Sequence, residues 1–544
     1  MPMLRTSSDA FPSSKKIMSD IPYVLRVEFR DLARDVTKIV GTPISCQKCG
    51  GYLISVDQVK EDAKVGKHFI CAFCSTLNII EGEIILAGTD TDFVVTPAPD
   101  KTDTVTGTIS TSGQSFLALI DVSGSMAGAN LSAVKRSLTT SIDSLAANAP
   151  DTLFGLVEFE SSVLVRNLET GEPYELPHST FPSQEAIVEA TKKMLDKIKL
   201  VKVGDDPGRL KQHVAALRDQ GGTALGPAMV LASVLAKHRN IGRVLLLTDG
   251  LANEGIGALE GYQVTPAKEF YQNLGRTFLE FGTSVDVVGI ASGAGMELKT
   301  LGLMPEATGG QMYYVTPNEL DKSLSELAGA SLLGRDVEVR LITPKGIIVK
   351  DASGVSRAVV EELLKKKESK IGVVGNNHEL YFEIEPESTI KEDEVPIQVQ
   401  VEYTDAEGAR RVRSVTTTLK VAKKEEEVLE TFDPALSATF VTQKAGEESF
   451  VGGKEGRKKG RSRIGSFRAA MMSKAKGAPK AAQARYERAD EALANEESEM
   501  EELDEMMAAA PSGAPSAAAD KAFTKGLAQM RKSSKELFED EEEE

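Results

Sequence analysis

Tryptophan is absent from the 544 residues, and aromatic residues make up only 5%. That leaves little material for a surface that stacks bases or sugars on rings. Basic charge is outweighed as well, with 64 Lys and Arg against 81 Asp and Glu and a net charge of −17. Nucleic acid is therefore excluded as the main partner, because phosphate binding needs a basic field over at least one domain. No stretch approaches the roughly 18 apolar residues of a membrane span, and residues 1–20 carry Ser and Lys but no apolar signal core. The expectation is a soluble, cytoplasmic protein, at most peripheral to endomembranes. Only four cysteines occur, so no disulfide framework runs through the chain, as befits a reducing compartment. A Gly-x-x-x-x-Gly-Lys-Ser/Thr phosphate loop is missing, and so is Gly-x-Ser-x-Gly, which removes the commonest nucleotide and serine-hydrolase signatures.

What is present is 41% hydrophobic and 27% charged, enough for two to four domains with real cores. Residues 1–20 read as a flexible arm, 21–42 as an apolar segment that packs on a later sandwich, 43–80 as a cysteine module, and 81–114 as strands (EIILAG, DFVVTP) and a linker. From 115 to 331, short apolar runs alternate with amphipathic helices. The runs are FLALID at 116, LFGLVEF at 153, VLLLT at 244, VDVVGI at 285 and QMYYV at 311. Strands apolar on both faces and separated by helices predict a doubly wound, mainly parallel α/β sheet. Residues 332–424 switch to period-two alternation with a turn at Asp405-Ala-Glu-Gly408, which predicts an antiparallel sandwich. After 425 comes a charged tail, helical or disordered. Its 454–488 block carries 12 Lys or Arg against 2 Glu, the next block to 505 carries nine acidic residues and no basic one, and the end reads FEDEEEE.

The cysteines fall in two pairs, Cys46-x-x-Cys49 and Cys71-x-x-Cys74. Each pair can clamp one side of a tetrahedral ion, thiolates suit Zn²⁺, and four sulfurs close the shell against substrate. The site is thus structural. Unligated cysteines or a redox pair are the alternatives, and two such pairs with no spare cysteine argue against both. His68 lies nearby as a bystander. The stretches PISCQKCGGY from Pro43 and FICAFCSTLN from Phe69 resemble the zinc ribbon of the inner-shell coat proteins of coat protein complex II, in which the ribbon precedes a von Willebrand A trunk. Phe69 stands where that family usually has Trp.

The first buried strand ends Asp121-Val-Ser123-Gly-Ser125, Gly221-Gly222-Thr223 precedes another helix, and Thr248-Asp249-Gly250 ends the strand RVLLL. Three such loops would meet at one sheet edge, where α/β folds gather ligands. They offer hard oxygen donors fit for Mg²⁺, which keeps several waters. This set is similar to the metal-ion-dependent adhesion site of von Willebrand factor A domains. The resemblance implies hydroxyl ligands from Ser123, Ser125 and Thr223, with Asp121 and Asp249 acting directly or through water. It also implies Mg²⁺ or Mn²⁺ and a sixth position left for a partner's acidic side chain. The complete motif sets this chain apart from the coat trunks, whose metal motifs are generally degraded, and 544 residues are expected not to accommodate the coat proteins' extended helical region and gelsolin-like domain.

No histidine among His68, His178, His213, His238 and His378 sits in a motif that marks a base for Ser123 or Ser125. A single ion with serine ligands and no general base makes metal-assisted hydrolysis a poor reading. The sequence therefore predicts a non-enzymatic adaptor or coat-like scaffold that holds an acidic partner through a metal bridge, and the coat-protein resemblance implies vesicle-mediated transport from the endoplasmic reticulum. The other class it leaves open is an assembly subunit of a ubiquitin- or transcription-related complex.

Overall fold

The computed structural model describes residues 3–97, 115–260, 264–291, 295–329, 332–405, 407–509 and 516–538. It divides into two units, one formed by residues 1–99, 336–504 and 529–544, the other by 100–335 and 505–528.

The second unit is built on a sheet whose strands run, in spatial order, Pro173–Glu175, Val163–Arg166, Leu153–Phe159, Ser115–Asp121, Arg243–Thr248, Ser284–Ile290 and Met312–Val315. The five strands from Leu153–Phe159 to Met312–Val315 are parallel, and the hairpin to Val163–Arg166 adds an antiparallel edge. Every residue of Arg243–Thr248 and Ser284–Ile290 is buried, as a sheet covered by helices on both faces requires. The helix Leu225–Arg239 is buried along twelve consecutive positions, so it lacks the amphipathic period of a surface helix. Ser115–Asp121, the first of the five parallel strands in sequence, lies between the second and the third of them, Leu153–Phe159 and Arg243–Thr248. The chain thus winds to one side of it first and to the other side afterwards, which opens a crevice at its C-terminal end.

Besides the small sheet of the cysteine module, the first unit holds two mainly antiparallel sheets. One has the order Leu4–Thr6, Val24–Glu28, Glu379–Pro386, Ile347–Ser353, and the other includes the long pair Glu394–Thr404 and Arg410–Ala422 followed by Asp90–Thr96 and Lys38–Val40. The turn of the long pair is an Asx turn, with Asp405 Oδ1 accepting from the backbone N–H of Glu407 and of Ala409, both at 2.9 Å. Residues expected as a flexible arm instead supply two paired strands, Leu4–Thr6 and Ala10–Pro12. Phe11 is fully buried with its ring edge-on to Tyr23 at 4.9 Å. Three-residue strands carry too little periodicity to be read, and one buried ring anchors them. The expected strand EIILAG does not form, whereas Asp90–Thr96 does. Most of the linker lies outside the described residues.

The tail is more ordered than its composition suggests. Pro434–Ala475, kinked at Gly453, and Lys480–Ala509 are long helices that bury Ile464, Phe467, Met471, Tyr486, Leu493 and Met500 in one core. Their opposed charge blocks pair with each other: Arg457 with Asp504 at 2.6 Å, Arg461 with Asp504 at 2.8 Å, and Arg468 with Asp490 and Glu497, each at 2.8 Å. The acidic end, 539–544, lies outside the described residues. No described helix is long and apolar enough to cross a membrane.

Candidate functional site

The cysteine module is a three-stranded antiparallel sheet, Val59–Asp62, Gly66–Ile70 and Leu77–Ile79. Its two knuckles close alike. Gly50 N–H donates to Cys46 O and Ser75 N–H to Cys71 O, both at 2.9 Å. The residue after each second cysteine, Gly50 and Ser75, takes a left-handed conformation. The four Sγ atoms of Cys46, Cys49, Cys71 and Cys74 lie within 4.8 Å of one another, with Cys46–Cys74 and Cys49–Cys71 each at 3.5 Å. A tetrahedron with Zn–S of about 2.3 Å has sulfur edges of about 3.8 Å, so the set fits zinc with small adjustment. Burial pushes the Cys46 thiol up, but N–H groups of Cys49 and Lys48 and the Asn78 amide outweigh it and bring the thiol down to about 6. Burial raises Cys71 to about 11 and Cys49 further. One thiolate is thus formed readily, whereas Cys49 and Cys71 keep their protons until a cation pays for their charge. Asn78, almost fully buried, donates to Cys46 Sγ at 3.4 Å and accepts from Gln47 N–H at 3.0 Å, the kind of support that orients a ligand sulfur. The Nδ1 of His68 is 2.9 Å from Gly66 O, and the residue is not part of the sulfur cluster.

At the crevice of the parallel sheet the three oxygen-bearing loops come together. Leu247 pairs with Ile120, which brings Thr248 level with Asp121, and the Thr248 hydroxyl donates to Asp121 Oδ2 at 2.5 Å. Asp121 Oδ1 accepts Ser123 N–H at 2.9 Å. The Ser123 and Ser125 hydroxyls are 3.0 Å apart, and Ser125 donates to Asp249 Oδ1 at 2.6 Å. Asn130, on the first turn of the following helix, donates to Asp249 Oδ2 at 2.6 Å. Thr223 is held through its backbone: Asn253 Oδ1 accepts its N–H at 2.8 Å, and its carbonyl accepts Asn253 N–H at 3.1 Å. The loops are also tied to each other, Gly124 N–H donating to Gly221 O at 3.1 Å. Gly221 has φ +68°, and a Cβ there would come 2.1 Å from Glu160 Oε2, so only glycine lets this loop approach. At Gly250 a Cβ would stand 3.3 Å from Ser125 Oγ and 3.9 Å from Thr223 Oγ1, so both hydroxyls border one small space.

Asp121 is fully buried and Asp249 nearly so. Burial pushes the Asp121 carboxyl up to about 6 against the pull of Ser123 and Thr248, and the charge of Asp249 adds to the rise. Asp249 is raised by its own burial. Two buried carboxylates ringed by hydroxyls form a donor set that fits a small hard dication. Five sequence-derived residues, Asp121, Ser123, Ser125, Thr223 and Asp249, meet in this crevice. Sequence reasoning missed Thr248 as a partner of Asp121 and Asn130 as the clamp on Asp249. Thr248 was visible as the residue before Asp249, whereas Asn130 carried no signal short of the helix that places it.

Residues 112–328 match the family described as the Sec23/Sec24 trunk domain. Among individual proteins, the chain is 24% identical over 433 residues to Circularly permutated Ras protein 1 of Dictyostelium discoideum, covering 73% of this chain and 50% of that one. It is 22% identical over 279 residues to Protein transport protein SEC24 of Yarrowia lipolytica, covering 47% and 29%. The chain thus spans half or less of the length of these relatives. The crystal structure of the human COPII-coat protein Sec24c superposes with a TM-score of 0.71 at 15% identity, over 98% of this chain and 75% of that one. That likeness covers the fold of both units. The chain thus joins a segment, residues 112–328, that matches the Sec23/Sec24 trunk domain to antiparallel sheets, a helical C-terminal region and a four-cysteine cluster that fits a zinc ribbon.

Proposed function

We propose that the protein is a non-enzymatic adaptor or coat-like scaffold in the cytoplasm, peripheral to vesicle membranes, and that it captures an acidic partner at the crevice of its trunk domain. The observation that carries this reading is the convergence of Asp121, Ser123, Ser125 and Asp249 into one chain of contacts no longer than 3.0 Å, beside Thr223. Mg²⁺ or Mn²⁺, when bound there, would supply a Lewis-acidic centre that accepts a carboxylate from outside. The residues' own part is to hold the donors ready. Thr248 and the Ser123 N–H fix both oxygens of Asp121, Asn130 fixes one oxygen of Asp249, and the exposed Ser125 marks the open side. We assign Cys46, Cys49, Cys71 and Cys74 to a structural zinc that makes residues 43–80 a rigid ribbon. In this reading the ribbon, the trunk over 115–331 and the sandwich over 332–424 are separate surfaces of one scaffold.

Arg457, Arg461 and Arg468 are engaged by carboxylates of the same helical tail, which speaks against the nucleic-acid contact that a transcription-type subunit would make with its basic block. The test is recovery of partners from cells with Mg²⁺ and with chelator, using wild type and Asp121→Ala. Equal recovery in all four arms would remove the metal bridge.

A further inference from the structure

The second unit carries, on residues other than those of the three oxygen-bearing loops, a place where a helix of the chain's own C-terminal region docks. Asp520, 3% exposed, turns both carboxylate oxygens onto backbone donors, accepting Met296 N–H at 2.6 Å and Leu298 N–H at 2.8 Å. One turn on, Phe523 enters a slot floored by Gly302. A Cβ on Gly302 would come 2.8 Å from the Phe523 ring and 3.0 Å from Met312 Sδ. Leu527 is buried one turn further along. The spacing i, i+3, i+7 puts these three side chains on one face of the helix Ala517–Met530, the arrangement by which amphipathic helices are read in grooves. A carboxylate on two N–H groups and a ring in a glycine-floored slot recognise side chains, whereas ordinary helix packing needs only apolar area. The Tyr314 hydroxyl is buried with no hydrogen-bond partner, and the Asp520 charge acts on it, so the occupant leaves one polar group of the site unsatisfied.

We propose that residues 296–302 with the strand Met312–Val315 form a peptide-recognition site for a helix bearing Asp, an aromatic and Leu at i, i+3 and i+7, and that 516–528 is its exchangeable internal occupant. The metal crevice plays no part in it. The preceding sequence, Ala-Ala-Pro-Ser-Gly-Ala-Pro at 509–515, is of a composition that suits a tether.

The experiment uses the full chain and a fluorescent peptide of residues 514–530. Wild type, its site filled in cis, should bind the peptide at least tenfold more weakly than a chain carrying Asp520→Ala and Phe523→Ala. The same substitutions in the peptide should abolish binding, and Gly302→Ala in the doubly substituted chain should do so too. A folded double variant that ignores the wild-type peptide would overturn the proposal. Should that variant fail to fold, a protease site placed between Gly513 and Ala514 of the wild-type chain serves instead. After cleavage, excess peptide should displace the fragment, and a fragment that stays bound under a hundredfold excess would make the helix a fixed part of the fold.

Discussion

The two candidate metal sites differ in what holds them together without metal. In the ribbon the four sulfurs crowd within 4.8 Å of one another, and three short strands of at most five residues supply a small core. The crevice is assembled already: its carboxylates and hydroxyls satisfy one another, and its loops hang from a seven-strand run of sheet through backbone bonds such as Val122 N–H to Phe159 O at 2.9 Å. On the proposed assignments, sulfur chemistry would couple zinc to folding, while oxygen chemistry would leave the crevice standing and couple its ion to binding alone.

The strongest way to break that contrast is Cys71→Ser. It should release one Zn²⁺ per chain and open residues 43–80 to protease and hydrogen exchange, with a loss on the order of 10 kcal/mol for so small a module. Stoichiometric zinc in a Cys46→Ser, Cys71→Ser chain would refute the assignment. Removing Mg²⁺ should unfold nothing; adding it at a hundredfold excess over Kd should stabilise the trunk by about 2.7 kcal/mol in a thermal or chaotrope titration. Next in size is Asn130→Ala, which frees one oxygen of Asp249 and should weaken Mg²⁺ about tenfold or more by calorimetry, as loss of a ligand's supporting hydrogen bond does, without changing zinc content. The smallest effect is in pH. Burial holds Asp121 near 6 in the metal-free site, so Mg²⁺ affinity should be level above about pH 7 and fall up to tenfold per unit below about 6. Stability of the metal-free trunk runs the other way. An acid whose folded pKa is raised contributes stability that is complete below its unfolded pKa and is lost as pH rises through 6. Affinity and stability moving together with pH would contradict this assignment of Asp121.

Much of the trunk was legible because its signals are local. The runs FLALID, LFGLVEF, VLLLT and VDVVGI fall in the strands Ser115–Asp121, Leu153–Phe159, Arg243–Thr248 and Ser284–Ile290. Five site residues could be picked because each stands where a buried strand or a helix ends. The tail was illegible for the opposite reason. Ile464, Phe467 and Met471 are a sparse stripe within a strongly basic block, and their burial depends on Tyr486, Leu493 and Met500 of the next helix. The two charge blocks looked like solvated faces until the helices paired them. Asp520 was one carboxylate among many, and nothing in its neighbourhood of sequence points to the amides of Met296 and Leu298.

The first unit is stitched from the two ends of the chain. Arg26 meets Glu379 across 353 residues, and the wholly buried strand Val24–Glu28, paired on one side with the nearby Leu4–Thr6, finds its other neighbour in Glu379–Pro386. On the ribosome, at about 5–20 residues per second, that strand waits roughly 20 to 70 s for its distant partner. The ribbon and the parallel sheet can close in that interval from contacts already synthesised. Biogenesis is therefore the stage at which this protein is most exposed. A substitution that slows elongation or lengthens the segment between residues 97 and 336 should lower the yield of folded chain even where it leaves the finished fold untouched.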